Sequence, residues 1–124
     1  MAKFAATIVL DAPADIIDQC DKMVACSAQP TTYTEANATF ALADVAMTPD
    51  TDYTKAAGDV SGRKVTMAAK NTVTVDTSGT ATHVALIRTA DSSLRFVTTC
   101  TSQALTAGNT CNFPAWDIET GSPT

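Results

Sequence analysis

Apolar and polar positions alternate through most of this chain with the two-residue period of half-buried strands. The pattern is clearest in Thr80-Ala-Thr-His-Val-Ala-Leu-Ile87, Leu94-Arg-Phe-Val-Thr-Thr-Cys100 and Cys111-Asn-Phe-Pro-Ala-Trp-Asp-Ile118. Thr, Val, Ile and Phe suit a pleated surface buried on one side, and turn residues separate the runs. Further strands are expected near 52–56, over 63–69 with Val65 and Met67 on one face, and over 71–76 with Val73 and Val75 on one face. Thr77-Ser-Gly79 turns the chain into the strand 80–88. Ala90-Asp-Ser-Ser93 and Thr106-Ala-Gly-Asn109 read as hairpin turns.

The first third carries a different period. Ile16, Ile17, Cys20, Met23 and Val24 recur at helical spacing after Pro13, which predicts a helix over 13–21. Met23-Val-Ala-Cys26 also reads as a strand leaving that helix. Thr32-Tyr-Thr-Glu35 has capping-box spacing and predicts a second helix over about 33–43, with Tyr33, Ala36, Phe40 and Ala41 facing inward. The expected fold is a mainly β, antiparallel β-sandwich or jelly-roll-like domain with one or two short N-terminal helices. Its plan is a single β-rich domain over 1–124: a helical segment over about 11–45, a β core over about 46–119 and a frayed tail over 120–124.

Composition fits that plan. The chain has 124 residues, and Ala and Thr make up about a third of them. A chain of this size buries roughly two-thirds of its unfolded surface without metal or disulfide staples. The formal net charge is −5, and the eight Lys and Arg are scattered from Lys3 to Arg95. That leaves no basic stripe to displace phosphate counterions, so nucleic acid is not an expected partner. The apolar run up to Leu10 is too short to cross a bilayer, and Asp11, Asp15, Asp18 and Asp21 follow it. The reading is a protein made in the cytoplasm without a membrane anchor.

Candidate chemistry is sparse. His83 is the one histidine, and no sequence spacing supplies it with an orienting partner. A structural or surface role is therefore expected, with no catalytic residue and no cofactor. Asp11, Asp15, Asp18 and Asp21 suit a solvated helix face, and neither they nor the loop acids Asp50, Asp52 and Asp59 have the converging geometry of a calcium loop. Cys20, Cys26, Cys100 and Cys111 contain no C-x-x-C pair, so no structural metal site is expected. They read either as buried free thiols or as one or two disulfides, with three connectivities open. Cys100 and Cys111 would face each other if their strands formed a hairpin. Pro114 cannot donate to a ladder and marks an edge or bulge. Phe113 and Trp116 beside it read as core residues or as anchors for a partner.

Gly79-Thr-Ala-Thr-His-Val-Ala-Leu86, Leu105-Thr-Ala-Gly-Asn-Thr110, Phe113-Pro-Ala-Trp-Asp-Ile-Glu119 and Ala57-Gly-Asp-Val-Ser-Gly-Arg-Lys-Val-Thr66 resemble a family of small virion proteins of tailed bacteriophages. The likeness runs from about Ala43 onward and lies in composition and β-structure. It implies a structural component of the particle, located in the virion. The expected role is a capsid decoration, or cement, protein that binds the major capsid protein and self-associates or forms a symmetric array. A tail, fibre or head–tail connector component, with host-surface binding, is the alternative. The resemblance carries over no catalytic residue. The four cysteines lie outside the family pattern and, if paired, would toughen the particle.

Overall fold

A computed structural model of the chain describes residues 16–57 and 63–120. Among these residues the order is β1 (Lys22–Cys26), a short helical turn (Glu35–Thr39), β2 (Ala41–Ala46), β3 (Tyr53–Ala57), β4 (Arg63–Met67), β5 (Lys70–Thr74), β6 (Gly79–Arg88), β7 (Ser93–Leu105), β8 (Thr110–Phe113) and β9 (Trp116–Thr120). The protein is mainly β, and its strand pairings are antiparallel. Three sheets form, with orders β2-β1-β6-β7, β3-β4-β9 and β5-β8.

The four-stranded sheet is apolar on both faces. Met23, Ala25 and Leu86 point into the main core, where they join Val65, Met67, Val73, Val75 and Phe113 from the other two sheets. Val24, Cys26, Ala85 and Ile87 point the other way and are covered by Ala36, Tyr33, Phe40, Leu94 and Val97. Burial on both sides explains why β1 reads as the continuous apolar run Met-Val-Ala-Cys. Each fully buried side chain as large as Leu86 or Ile87 contributes roughly 1.5–3 kcal/mol.

The helical expectations need correction. A helical turn at Ile16–Ile17 ends at a turn over Asp18–Gln19, and the chain then enters β1. The apolar residues at helical spacing thus divide between a turn and a central strand. Residues 11–15 lie outside the described residues. The second helix is confined to the region before Phe40, because β2 begins at Ala41 and pairs with β1. Its last bond spans five residues, from Phe40 N to Glu35 O at 2.8 Å. The cap is close to the expected one. Thr32 Oγ1 accepts from Glu35 N at 3.2 Å, while Glu35 Oε1 reaches back to Thr31 N at 2.9 Å and Thr31 Oγ1 at 2.7 Å. The 11–45 region therefore supplies two strands of the principal sheet as well as its helical cover.

The strands expected over 52–56, 63–69, 71–76, 80–88 and 94–100 correspond to β3 through β7, and the β6–β7 hairpin forms as expected. The turn after β7 does not make a hairpin. β8 crosses to pair with β5, and after Pro114 and Ala115 the chain enters β9, which pairs with β4. Pro114 thus divides one predicted strand between two sheets. Residues 58–62, including Asp59, and residues 121–124 lie outside the described residues.

A candidate binding groove beside an edge strand

Pro114 controls the local geometry. With no N–H to donate, it ends the β8 ladder and lets the next strand leave for the other sheet. Phe113, before the break, is buried in the core at 5% exposure. Trp116, after it, is half-buried. Its ring lies 5.9 Å from that of Phe96 with an interplanar angle of 31°. Its indole N–H donates to Met23 Sδ at 3.4 Å. Both residues line a groove of about 540 Å³, completed by Val84, Thr98, Cys100 and Pro114 among others. A second hollow of about 200 Å³ continues it past Ala81, Gln103, Leu105 and Cys111. Phe113 and Trp116, the two residues singled out as core or anchor, pack inward and also form one wall of the groove.

The groove is poor in ionisable groups. Its one carboxylate among the described lining residues, Asp117, sits 3.7 Å from Lys64 Nζ. Apolar and hydroxyl-bearing walls suit recognition by packing and backbone hydrogen bonds, the usual make-up of a protein contact site.

The four cysteines are free thiols. Cys20, Cys26 and Cys111 are buried and Cys100 is half-buried. Burial pushes Cys20 up to about 12 and Cys26 up to about 11, and it also raises Cys100 and Cys111. Because β8 pairs with β5, Cys100 and Cys111 are not opposed across a hairpin, although both border the smaller hollow.

His83 pairs with Cys26 of β1 and Thr99 of β7 in the strand register. Its Nδ1 lies 2.8 Å from Thr82 Oγ1, and that hydroxyl donates to Ser27 O at 3.1 Å. The β6–β7 ladder is irregular where the single Thr82 faces Cys100 to Ser102 of β7, and Ala81 joins the main core, which breaks the simple alternation that would set it beside His83.

The acids depart from a solvated helix face. Asp18 is 4% exposed and binds Lys55 Nζ at 2.8 Å. Burial raises its carboxyl above the ordinary range, with Lys55 opposing the shift and Asp50 adding to it. Burial also pushes Asp21 up, but bonds from Thr89 N at 2.8 Å and Thr89 Oγ1 at 2.7 Å outweigh it and hold the group low. Asp52 accepts from Thr48 N at 2.6 Å and pairs with Lys70 at 3.0 Å. Asp11 and Asp15 lie outside the described residues. Among the described residues, no three His, Cys, Asp or Glu side chains gather to hold a metal ion, and no helix is long and apolar enough to cross a membrane.

Two features escaped the sequence reading. One is the groove, formed by residues far apart in the chain. The other is Arg95, the extra residue of a bulge opposite Leu86–Ile87. The bulge keeps Leu94 and Val97 on one face and turns Phe96 to the other. Arg95 then reaches Ser93 Oγ at 2.8 Å, Ile16 O at 3.0 Å and Asp91 Oδ2 at 3.0 Å. The phrase Ser93-Leu-Arg-Phe-Val97, with a cation inside an apolar run, was the available signal. No family model, curated protein or solved structure matches this chain.

Proposed function

We propose that this chain is a bacteriophage virion structural protein acting as a capsid decoration protein that binds the major capsid shell and stabilises it. Its sheets would stack as a β-sandwich, giving a stiff block with contact surface on its side. The observation that carries the reading is the groove beside β7: Phe113, Pro114 and Trp116 form an open wall with a single paired carboxylate at its rim. A surface of that kind gains free energy by covering apolar area and satisfying backbone groups. The virion assignment itself comes from the resemblance of the strand and turn segments.

The role requires no bond making. The protein would sit across joints between shell subunits, so that pulling them apart exposes the groove to water. Acidic charge keeps the free protein soluble before assembly.

The test compares purified heads with and without the protein under heat or chelator. Earlier rupture of heads lacking it supports the reading. Equal robustness removes the cementing role. Presence only at the tail of otherwise unchanged particles would favour the tail, fibre or connector alternative.

A further inference from the structure

Ile16 lies beside the strand that walls the groove. Its carbonyl accepts from Arg95 Nη1 at 3.0 Å, and Gln19 Oε1 accepts from the same nitrogen at 3.4 Å. Residues 1–15 lie outside the described residues, and Ile16 fixes their point of attachment next to the start of β7. Thr98 and Cys100, on one wall of the groove, follow Arg95 by three and five residues, about 10 and 17 Å along a strand. Leu10 precedes Ile16 by six residues, a span of at most about 20 Å. The groove is therefore within its reach.

The run that ends at Leu10 matches the groove in chemistry and size. Phe4-Ala-Ala-Thr-Ile-Val-Leu10 has no charge and no proline. Seven extended residues cover about 23 Å. The groove offers about 540 Å³ between Thr98–Cys100 and Phe113–Trp116, with one carboxylate, Asp117. Neighbouring apolar surface is already taken, because Tyr33 and Phe40 pack over the opposite face of the sheet.

Charge and tethering favour this occupant. Residues 1–10 hold Lys3 and no acid, while the whole chain has net charge −5, so the run is drawn to an acidic body. Two whole copies would repel each other instead. A short tether also holds the run at an effective concentration in about the millimolar range, which a separate partner must exceed or outbind.

We propose that residues 4–10 of the same chain lie in the groove of the free protein and cover its apolar wall until a partner displaces them. Contact is by side-chain packing. The β6–β7 ladder is irregular at Arg95 and across Cys100–Ser102, so no long backbone pairing along β7 is invoked. The inference concerns the isolated chain and stands apart from the virion assignment.

Trp116 is the one tryptophan and lines the groove, so its emission and its quenching by acrylamide report the cover. The full-length variant Ile8→Asp/Leu10→Asp puts two charges into the run without changing a described residue. Its Trp116 emission should shift to the red and its acrylamide quenching should rise at least about twofold, because carboxylates are expelled from an apolar groove. Alkylation of Cys100, which also lines the groove, should accelerate, while Cys20 and Cys26 stay unreactive and show the fold intact. Ala2→Asp, outside the run, should match the parent. Nuclear Overhauser contacts between the Phe4–Leu10 side chains and the Trp116 ring should appear in the parent and vanish in the double variant. Equal quenching in parent and double variant, or no such contacts in the parent, overturns the proposal. Contacts found only between differently labelled copies overturn it as well.

Discussion

Replacing Lys55 with methionine should cost far more stability than replacing Asp18, its partner, with asparagine. Asp18 has 5% of its side chain exposed and Lys55 has 30%, at a separation of 2.8 Å. Removing the cation leaves a carboxylate buried beside Asp50. A fully buried pair broken in this way costs about 3–5 kcal/mol, and the partial exposure of Lys55 reduces that to about 2–3 kcal/mol. For a chain of this size that is a fall of about 8–12 °C in Tm. Asp18→Asn leaves Lys55 able to reach solvent and keeps a polar isostere, so the expected cost is about 0–1 kcal/mol. The double variant Asp18→Asn/Lys55→Met isolates whatever else Lys55 contributes.

The pH dependence has a definite sign. Burial holds the Asp18 carboxyl above its ordinary value in the fold, and without Lys55 it rises further. Between the unfolded and folded values the native state binds more protons, so the Lys55→Met deficit should shrink as pH falls through that raised value toward the ordinary carboxylate range. Thermal melts of the four proteins between neutral and mildly acidic pH measure this. Equal costs for the two single substitutions, or a deficit independent of pH, would refute the reasoning.

Three other outcomes are expected. Arg95→Ala should lose about 1–2 kcal/mol in denaturant titration, because the bulge residue no longer ties β7 to Ile16 O and Asp91. Arg95→Lys should recover only part of this, since an ammonium cannot span the same fork of acceptors. Thr72 is a β-branched residue at φ 58°, so Thr72→Asn should gain about 0.5–1 kcal/mol in the same assay, whereas Thr74→Asn in the same strand should gain nothing. Thiol labelling of the native protein at neutral pH, read by mass spectrometry, should modify Cys100 first and leave Cys20 and Cys26 untouched until denaturation.

The strands were legible where one face is wet. Val65 and Met67, or Val73 and Val75, alternate with polar neighbours and are buried as that pattern demands. Met23 to Cys26 was ambiguous because a strand covered on both faces leaves no period to distinguish it from a helix. The β8 crossover was hidden for a different reason. The Thr106–Asn109 turn has hairpin composition, but pairing is decided by which sheet can bury Cys111 and Phe113, and that is a long-range property. Asp18 looked like one of a row of surface acids, and only Lys55, 37 positions away in sequence, reveals it as half of a buried pair. The same limit applies to the groove. Phe113 and Trp116 were visible as aromatics beside a proline, while the opposite wall at Val84 and Thr98 comes from other strands.

Abundance in purified particles tests most directly the proposed role as contact surface on a viral shell. Quantitative mass spectrometry of intact virions should find it at a copy number comparable to that of the major capsid protein. Recovery at the low stoichiometry of a tail or connector part, or absence from the particle altogether, would contradict the account.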